Sequence, residues 1–145
     1  MKVEIWEGPV TPELVAAFDH LVPQLSKSNP PPTREQVQAL IDADAIDQFV
    51  AFDDSGAIVG VATLVTFPIP TAMRAWIEDV IVDEAASRQG IGEALTRAMI
   101  DRARQLGCKT VDLTSRPTRE AANRLYQRIG FQPRDTNVYR LTLEA

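Results

Sequence analysis
The stretch Val80–Glu93, reading VIVDEAASRQGIGE, limits this chain more than any other. A β-branched run passes through a short polar turn into glycines that open an amphipathic helix. A strand, a glycine-rich turn and a helix start, taken in that order, make an anion site. The first helical amides have no partner inside the helix and point outward, and the helix dipole adds partial positive charge there. Gly90 and Gly92 carry no Cβ, so a bulky diphosphate approaches the backbone closely. Standing alone, Gly-Ile-Gly fits a plain strand-to-helix turn equally well. It is not a P-loop, because no Gly-Lys-Ser/Thr follows. The dinucleotide fingerprint also fails, since its third glycine position falls at Leu95.

A chain of 145 residues fits one domain, residues 1–145, and buries a real core without staples. Cys108 and His20 are each alone, which leaves no disulfide framework, metal site or histidine-based triad. Both read as core or surface filler. The N-terminus MKVEIWEG has no apolar signal region and no run approaches membrane-spanning length, so we expect a cytoplasmic protein with no membrane partner. A net charge of −5 argues against nucleic acid. Its distribution says more. Residues 1–86 carry four Lys/Arg against fourteen Asp/Glu, and residues 87–145 carry eleven against six. A basic half suits a polyanionic ligand, and an acidic half suits a cationic amine.

Along the chain, Lys2–Trp6 alternates as a first strand. Thr11-Pro12-Glu13 opens a helix with an N-cap and Pro at N1, and Pro23 is expected to kink or interrupt it. Ser28–Pro32 is a stiff connector, and Thr33 with Gln36 forms a capping box for a second helix to about Ala43. Gln48–Phe52 and Ala57–Thr66 pair as a hairpin, and the tip Phe67-Pro-Ile-Pro70 leads to a strand over Ala75–Val82. The next helix places Ile91, Leu95, Met99, Ala103 and Leu106 on one face and ends at Gly107. Lys109–Thr114 is a strand, Thr118 caps a helix running to Ile129, and Phe131–Pro133 and Asn137–Leu143 close the fold as strands. The order β-α-α-β-β-β-α-β-α-β-β gives an α/β (mixed α+β) protein with helices on both faces of a mixed sheet.

VIVDEAASRQGIGEAL, followed downstream by Asn123-Arg-Leu-Tyr126-Gln-Arg-Ile-Gly130-Phe131, resembles the GNAT superfamily of acetyl-CoA-dependent N-acetyltransferases. The likeness covers most of the chain from about Asp47, and it implies a central, mostly antiparallel sheet. One position departs. The family's phosphate loop usually has Gln or Arg three residues before its first glycine; here that place holds Ser87, with Arg88 one residue later.

Moving acetyl from a thioester to an amine requires an anchored cofactor, a polarised carbonyl, a neutral amine and a protonated leaving thiolate. Anchoring falls to the main-chain amides of Arg88, Gln89, Gly90, Ile91, Gly92 and Glu93, whose carboxylate should point away from the phosphates. By resemblance, the backbone of Val80, Ile81 and Val82 pairs with the pantetheine arm, and one of those amides donates to the acetyl carbonyl. The resemblance also makes Tyr126 the acid that protonates the thiolate, with Asn123, one turn earlier, holding the cofactor arm. The alternative for Tyr126 is a core aromatic packing on Leu125 or Phe131, and the flanking Asn123 and Gly130-Phe131 favour the acid.

Glu78 and Asp79 are adjacent on a strand and so face opposite sides of the sheet. Ile77-Glu78-Asp79 resembles the glucosamine-phosphate branch of the superfamily, which favours Glu78 as base, directly or through water. Both acids equally fit solvated strand positions. The histone-acetylating branch has its carboxylate where this chain has Trp76, which discounts a histone-like substrate. By resemblance the acceptor enters between Gln24–Thr33 and Phe67–Arg74, and the apolar groups there suit either a pocket wall or a homodimer surface.

The expectation is direct transfer of acetyl from acetyl-CoA to a primary amine, without metal, through a ternary complex, with a small-molecule acceptor ahead of a peptide one. The competing readings are a noncatalytic acyl-CoA-binding or sensing module, a regulatory domain for another nucleotide, and a protein N-terminal or lysine acetyltransferase.

Overall fold
The side chain of Thr11 accepts the amide of Leu14 and so starts helix α1 (Pro12–Leu25), which buries Leu14, Phe18 and Leu21. Pro23 does not break it. Asp19, whose carbonyl loses its partner, and Pro23 both lie on the exposed face, where water replaces the bond, and the helix continues to Leu25. The Thr33–Gln36 capping box is formed in both directions and opens α2 (Arg34–Asp42). The computed structural model describes residues 1–144. They divide into two compact units, Met1–Thr114 and the residues from Ser115 onward.

The first unit is built on a five-stranded sheet in the order β1 (Lys2–Ile5), β2 (Ile46–Phe52), β3 (Ile58–Ile69), β4 (Ala72–Val82) and β5 (Thr110–Asp112). All neighbours are antiparallel except β4 and β5, which are parallel. β3 runs through Phe67 to Ile69, so the expected tip shrinks to Pro70-Thr71. β5 is shorter than expected because it pairs with β4 only at Arg74, Ala75 and Trp76.

Alternation along the strands divides the core. Val50, Val61 and Ile81 pack under α1 and α2 with Leu14, Phe18, Leu21 and Val37. The opposite face receives α3 (Ile91–Gln105), which buries Ile91, Leu95, Met99 and Ala103 as its periodicity predicts. Helices therefore cover both faces of this sheet. At the crossing of α3 and β3 the backbones come close. A Cβ on Gly60 would stand 3.1 Å from the Ile91 side chain, 3.2 Å from that of Leu95 and 3.2 Å from the Ile81 carbonyl oxygen. We expect Gly60→Val to cost about 1–3 kcal/mol by overpacking. Gly60→Ala should cost distinctly less, and the comparison is read from urea unfolding of the two variants.

The second unit contains α4 (Glu120–Ile129). Two expectations are corrected here. Thr118 is not the cap: a turn closed by the Arg119 amide on the Arg116 carbonyl takes Thr118 inside it, and Arg119 becomes the N-cap without a side-chain bond. Phe131–Pro133 and Asn137–Leu143 are not strands. Alternation of Tyr139, Leu141 and Leu143 is present, but a strand exists only where a neighbour takes its amides and carbonyls, and none of the described residues does so here.

Candidate functional site
β4 carries the first part of the site, and its regular pairing breaks where the chemistry was expected. Val61 lies opposite Ile81, but Thr63 lies opposite Glu78, so two steps on β3 meet three on β4. The extra residue is a bulge with Asp79 at φ +48, left-handed backbone in a residue that can tolerate it. The bulge resets the alternation. Glu78, opposite Thr63, and Ile81, opposite Val61, come to the same face although three residues apart. Asp79 is exposed. Glu78, also exposed, is not loose: the Trp76 indole N–H donates to its carboxylate at 2.6 Å. Beyond Trp76, β4 has no partner in β5, so Ile77–Val82 presents one row of amides and carbonyls with no strand beside it in this unit.

β4 leads into the phosphate-loop candidate through a tight turn. The Asp83 side chain accepts the Ala85 amide and caps the 3₁₀ turn Glu84–Ala86. Ser87 closes that turn with its amide on the Glu84 carbonyl. Arg88 (φ +64) and Gly90 (φ +77) then take left-handed backbone on either side of Gln89. A Cβ on Gly90 would meet nothing within 4 Å, so this glycine is required by its conformation rather than by crowding. Gly90 is the N-cap of α3 and makes no side-chain cap bond, which leaves the first amides of α3 directed at whatever lies before the helix. Glu93 pairs its carboxylate with Arg97 one turn on, at 3.0 Å. This donor set, main-chain N–H groups at a helix start beside Arg88, fits a diphosphate.

Asn123 and Tyr126 belong to the second unit. Asn123 donates through Nδ2 to the carbonyls of Arg116 and Arg119, both at 2.9 Å, fastening the turn that precedes α4. Tyr126 is half-buried and meets Phe131 edge to face, ring centres 5.8 Å apart. Burial pushes its phenol above the usual range, against a smaller opposing pull from the Arg119 charge. Cys108 is half-buried, and burial also raises its thiol, the wrong direction for a nucleophile.

Three groups escaped the reading of the sequence. The sequence assigns Trp76 no part in the site, and only the i, i+2 spacing to Glu78 could have marked it. His20 and Gln24, on α1, reach Asp83, 63 and 59 residues away. Burial would raise the Asp83 carboxyl, but hydrogen bonds from the Ala85 amide, Gln24 and His20 outweigh it and hold the group below the ordinary carboxylate range. No local pattern announces such a contact. Among the described residues, no group of three or more His, Cys, Asp or Glu is arranged to hold a metal ion, and no helix is long and apolar enough to cross a membrane.

Known structures share this architecture. An acetyltransferase of Trypanosoma brucei is 27% identical with a TM-score of 0.78, over 98% of this chain and 99% of that one. A Bacillus halodurans C-125 protein described as a transcriptional regulator is 26% identical with a TM-score of 0.79, over 97% and 100%. An aminoglycoside acetyltransferase from an uncultured soil metagenomic sample, solved with sisomicin, is 22% identical with a TM-score of 0.81, over 99% and 96%, a likeness of fold. No curated protein matches the chain. Residues 14–131 match the acetyltransferase (GNAT) family. That match spans most of the molecule, from α1 to the residue after the Gly130 cap, and the chain belongs to the GNAT acetyltransferase family.

Proposed function
We propose that this protein transfers the acetyl group of acetyl-CoA directly to a primary amine, that of a small molecule. The observation that carries the reading is the continuity of β4 and α3: an edge without a strand neighbour runs into two left-handed residues and an uncapped helix start. Acetyl-CoA supplies the activated acetyl group as a thioester. The Arg88–Glu93 amides hold the diphosphate, and Val80–Val82 pairs with the peptide-like arm and donates to the acetyl carbonyl. Glu78 takes the proton that an ammonium must lose before its nitrogen can attack. Tyr126 gives its phenolic proton to the departing sulfur as the carbon–sulfur bond breaks, and regains one from solvent. The surplus of acid in residues 1–86 favours a cationic acceptor, and no basic run suited to an acidic peptide is present.

The test is release of free thiol from acetyl-CoA across a panel of small amines, aminoacyl compounds and peptides. Release that depends on a small amine supports the proposal. Release with peptides alone moves the acceptor to a protein. Saturable acetyl-CoA binding without release from any acceptor supports a noncatalytic acyl-CoA module instead.

A further inference from the structure
The Gln24 side chain bridges two elements distant in sequence. Gln24 sits in the last turn of α1. Its Oε1 accepts the Glu84 amide at 3.0 Å, and its Nε2 donates to Asp83 Oδ1 at 3.4 Å and to the His20 carbonyl at 3.3 Å. His20 Nε2 completes the contact on Asp83 Oδ2 at 3.0 Å. One side chain thus addresses both the N-cap of the Glu84–Ala86 turn and the first amide inside it. That turn is short, and its exit fixes where Arg88 and Gly90 adopt their left-handed backbone. The other anchors of the turn are the Asp83 amide on the Val59 carbonyl and buried Ala86. These hold its sheet side, whereas Gln24 holds its outer side. Neither His20 nor Gln24 belongs to the anion-binding amides, and no other feature of α1 requires a glutamine at this place.

We infer that Gln24 is a positioning residue for the phosphate loop: by clamping Asp83 and the Glu84 amide to the end of α1, it sets the course of Ser87–Gly90 and thereby the affinity for the diphosphate of coenzyme A. The inference rests on the acyl-CoA reading proposed above. It also joins α1, whose end leads directly into the proline-rich connector Ser28–Pro32, to the loop that holds the cofactor. Loss of the clamp frees the turn without removing a group that touches ligand, so the expected effect falls on binding.

The experiment is calorimetric titration with coenzyme A of the wild-type chain, Gln24→Ala, Gln24→Glu and Gln24→Met, each checked by thermal melting. Gln24→Ala should bind coenzyme A roughly five- to tenfold more weakly, the worth of one or two hydrogen bonds, with its melting temperature little changed. Gln24→Glu sets a second carboxylate against Asp83 and should be at least as weak. Gln24→Met keeps the length of the side chain but neither donates nor accepts as the amide does, and should bind as weakly as Gln24→Ala. A mere loss of packing at α1 would be repaired by the methionine. Wild-type affinity in Gln24→Ala overturns the inference and leaves the acyl-CoA reading standing. Weakening in Gln24→Ala that Gln24→Met repairs also overturns it. A wild-type chain that fails to bind coenzyme A overturns the acyl-CoA reading, and the inference with it.

Discussion

Tyr126→Phe should lower kcat for acetyl transfer by about 10²- to 10⁴-fold, the span of a positioned general acid, and leave the KM for acetyl-CoA nearly unchanged. The substitution removes one hydroxyl and keeps the ring, so the edge-to-face contact with Phe131 survives and the fold of the C-terminal unit is preserved. The departing thiolate has an ordinary pKa of about 8.5 and a free phenol about 10, so the transfer is uphill and needs a short, fixed path. Burial raises the Tyr126 phenol further. The sign follows directly. A raised pKa keeps the acid form throughout the neutral range, so the Tyr126-dependent part of kcat should persist beyond the ordinary phenol range before it declines. Thiol release followed against pH in both proteins checks this. An equal kcat in the two proteins at neutral pH removes Tyr126 from the acid role without touching the assignment of the enzyme.

Glu78→Gln should lower kcat/KM at neutral pH by about 10²-fold, with a deficit that shrinks as the pH approaches about 10.4, where the amine loses its proton unaided. Glutamine retains the shape of the side chain and an oxygen to accept the Trp76 indole N–H, now made at 2.6 Å, so the loss reports the proton acceptor rather than its placement. The same thiol assay, run from about pH 7 upward with a simple alkylamine, separates the outcomes. A loss that stays constant with pH makes Glu78 a contact for the substrate's charge. No loss at all passes the base to Asp79 or to water.

The elements with strong local signals were legible in the sequence. The Thr33 capping box, the Ile91–Ala103 face and the Gly90 turn each announce themselves within a few residues, because caps, period and left-handed backbone are chosen by local chemistry. Misses arose where a distant partner decides. Tyr139, Leu141 and Leu143 alternate as a strand should, yet strand identity lies in a neighbour's hydrogen bonds. Pro23 is expected from its type to kink or interrupt α1, whereas its exposed place in the last turn makes the lost bond cheap and the helix runs on to Leu25. The bulge at Asp79 was invisible, since no residue before or after it departs from an ordinary strand composition. In the candidate site, the glycine turn and the helix start at Gly90 were readable because local backbone chemistry chooses them. The holding groups, Trp76 on Glu78 and Gln24 on Asp83, were not, because each is a neutral side chain whose meaning appears only once the chain is folded.

The bulge in β4 also bears on how this enzyme could change. Ile77 and Ile81 are buried on either side of it, while Glu78 and Asp79 between them are both exposed. Glu78 stays exposed on the face that it shares with Ile81, and the extra residue lets Asp79 point out of the regular alternation. Replacement of either isoleucine opens the core, whereas the constraint on Asp79 is its backbone. At φ +48, drift at position 79 should stay within Asp, Asn and Gly for as long as the bulge is kept, because only these take left-handed backbone at little cost.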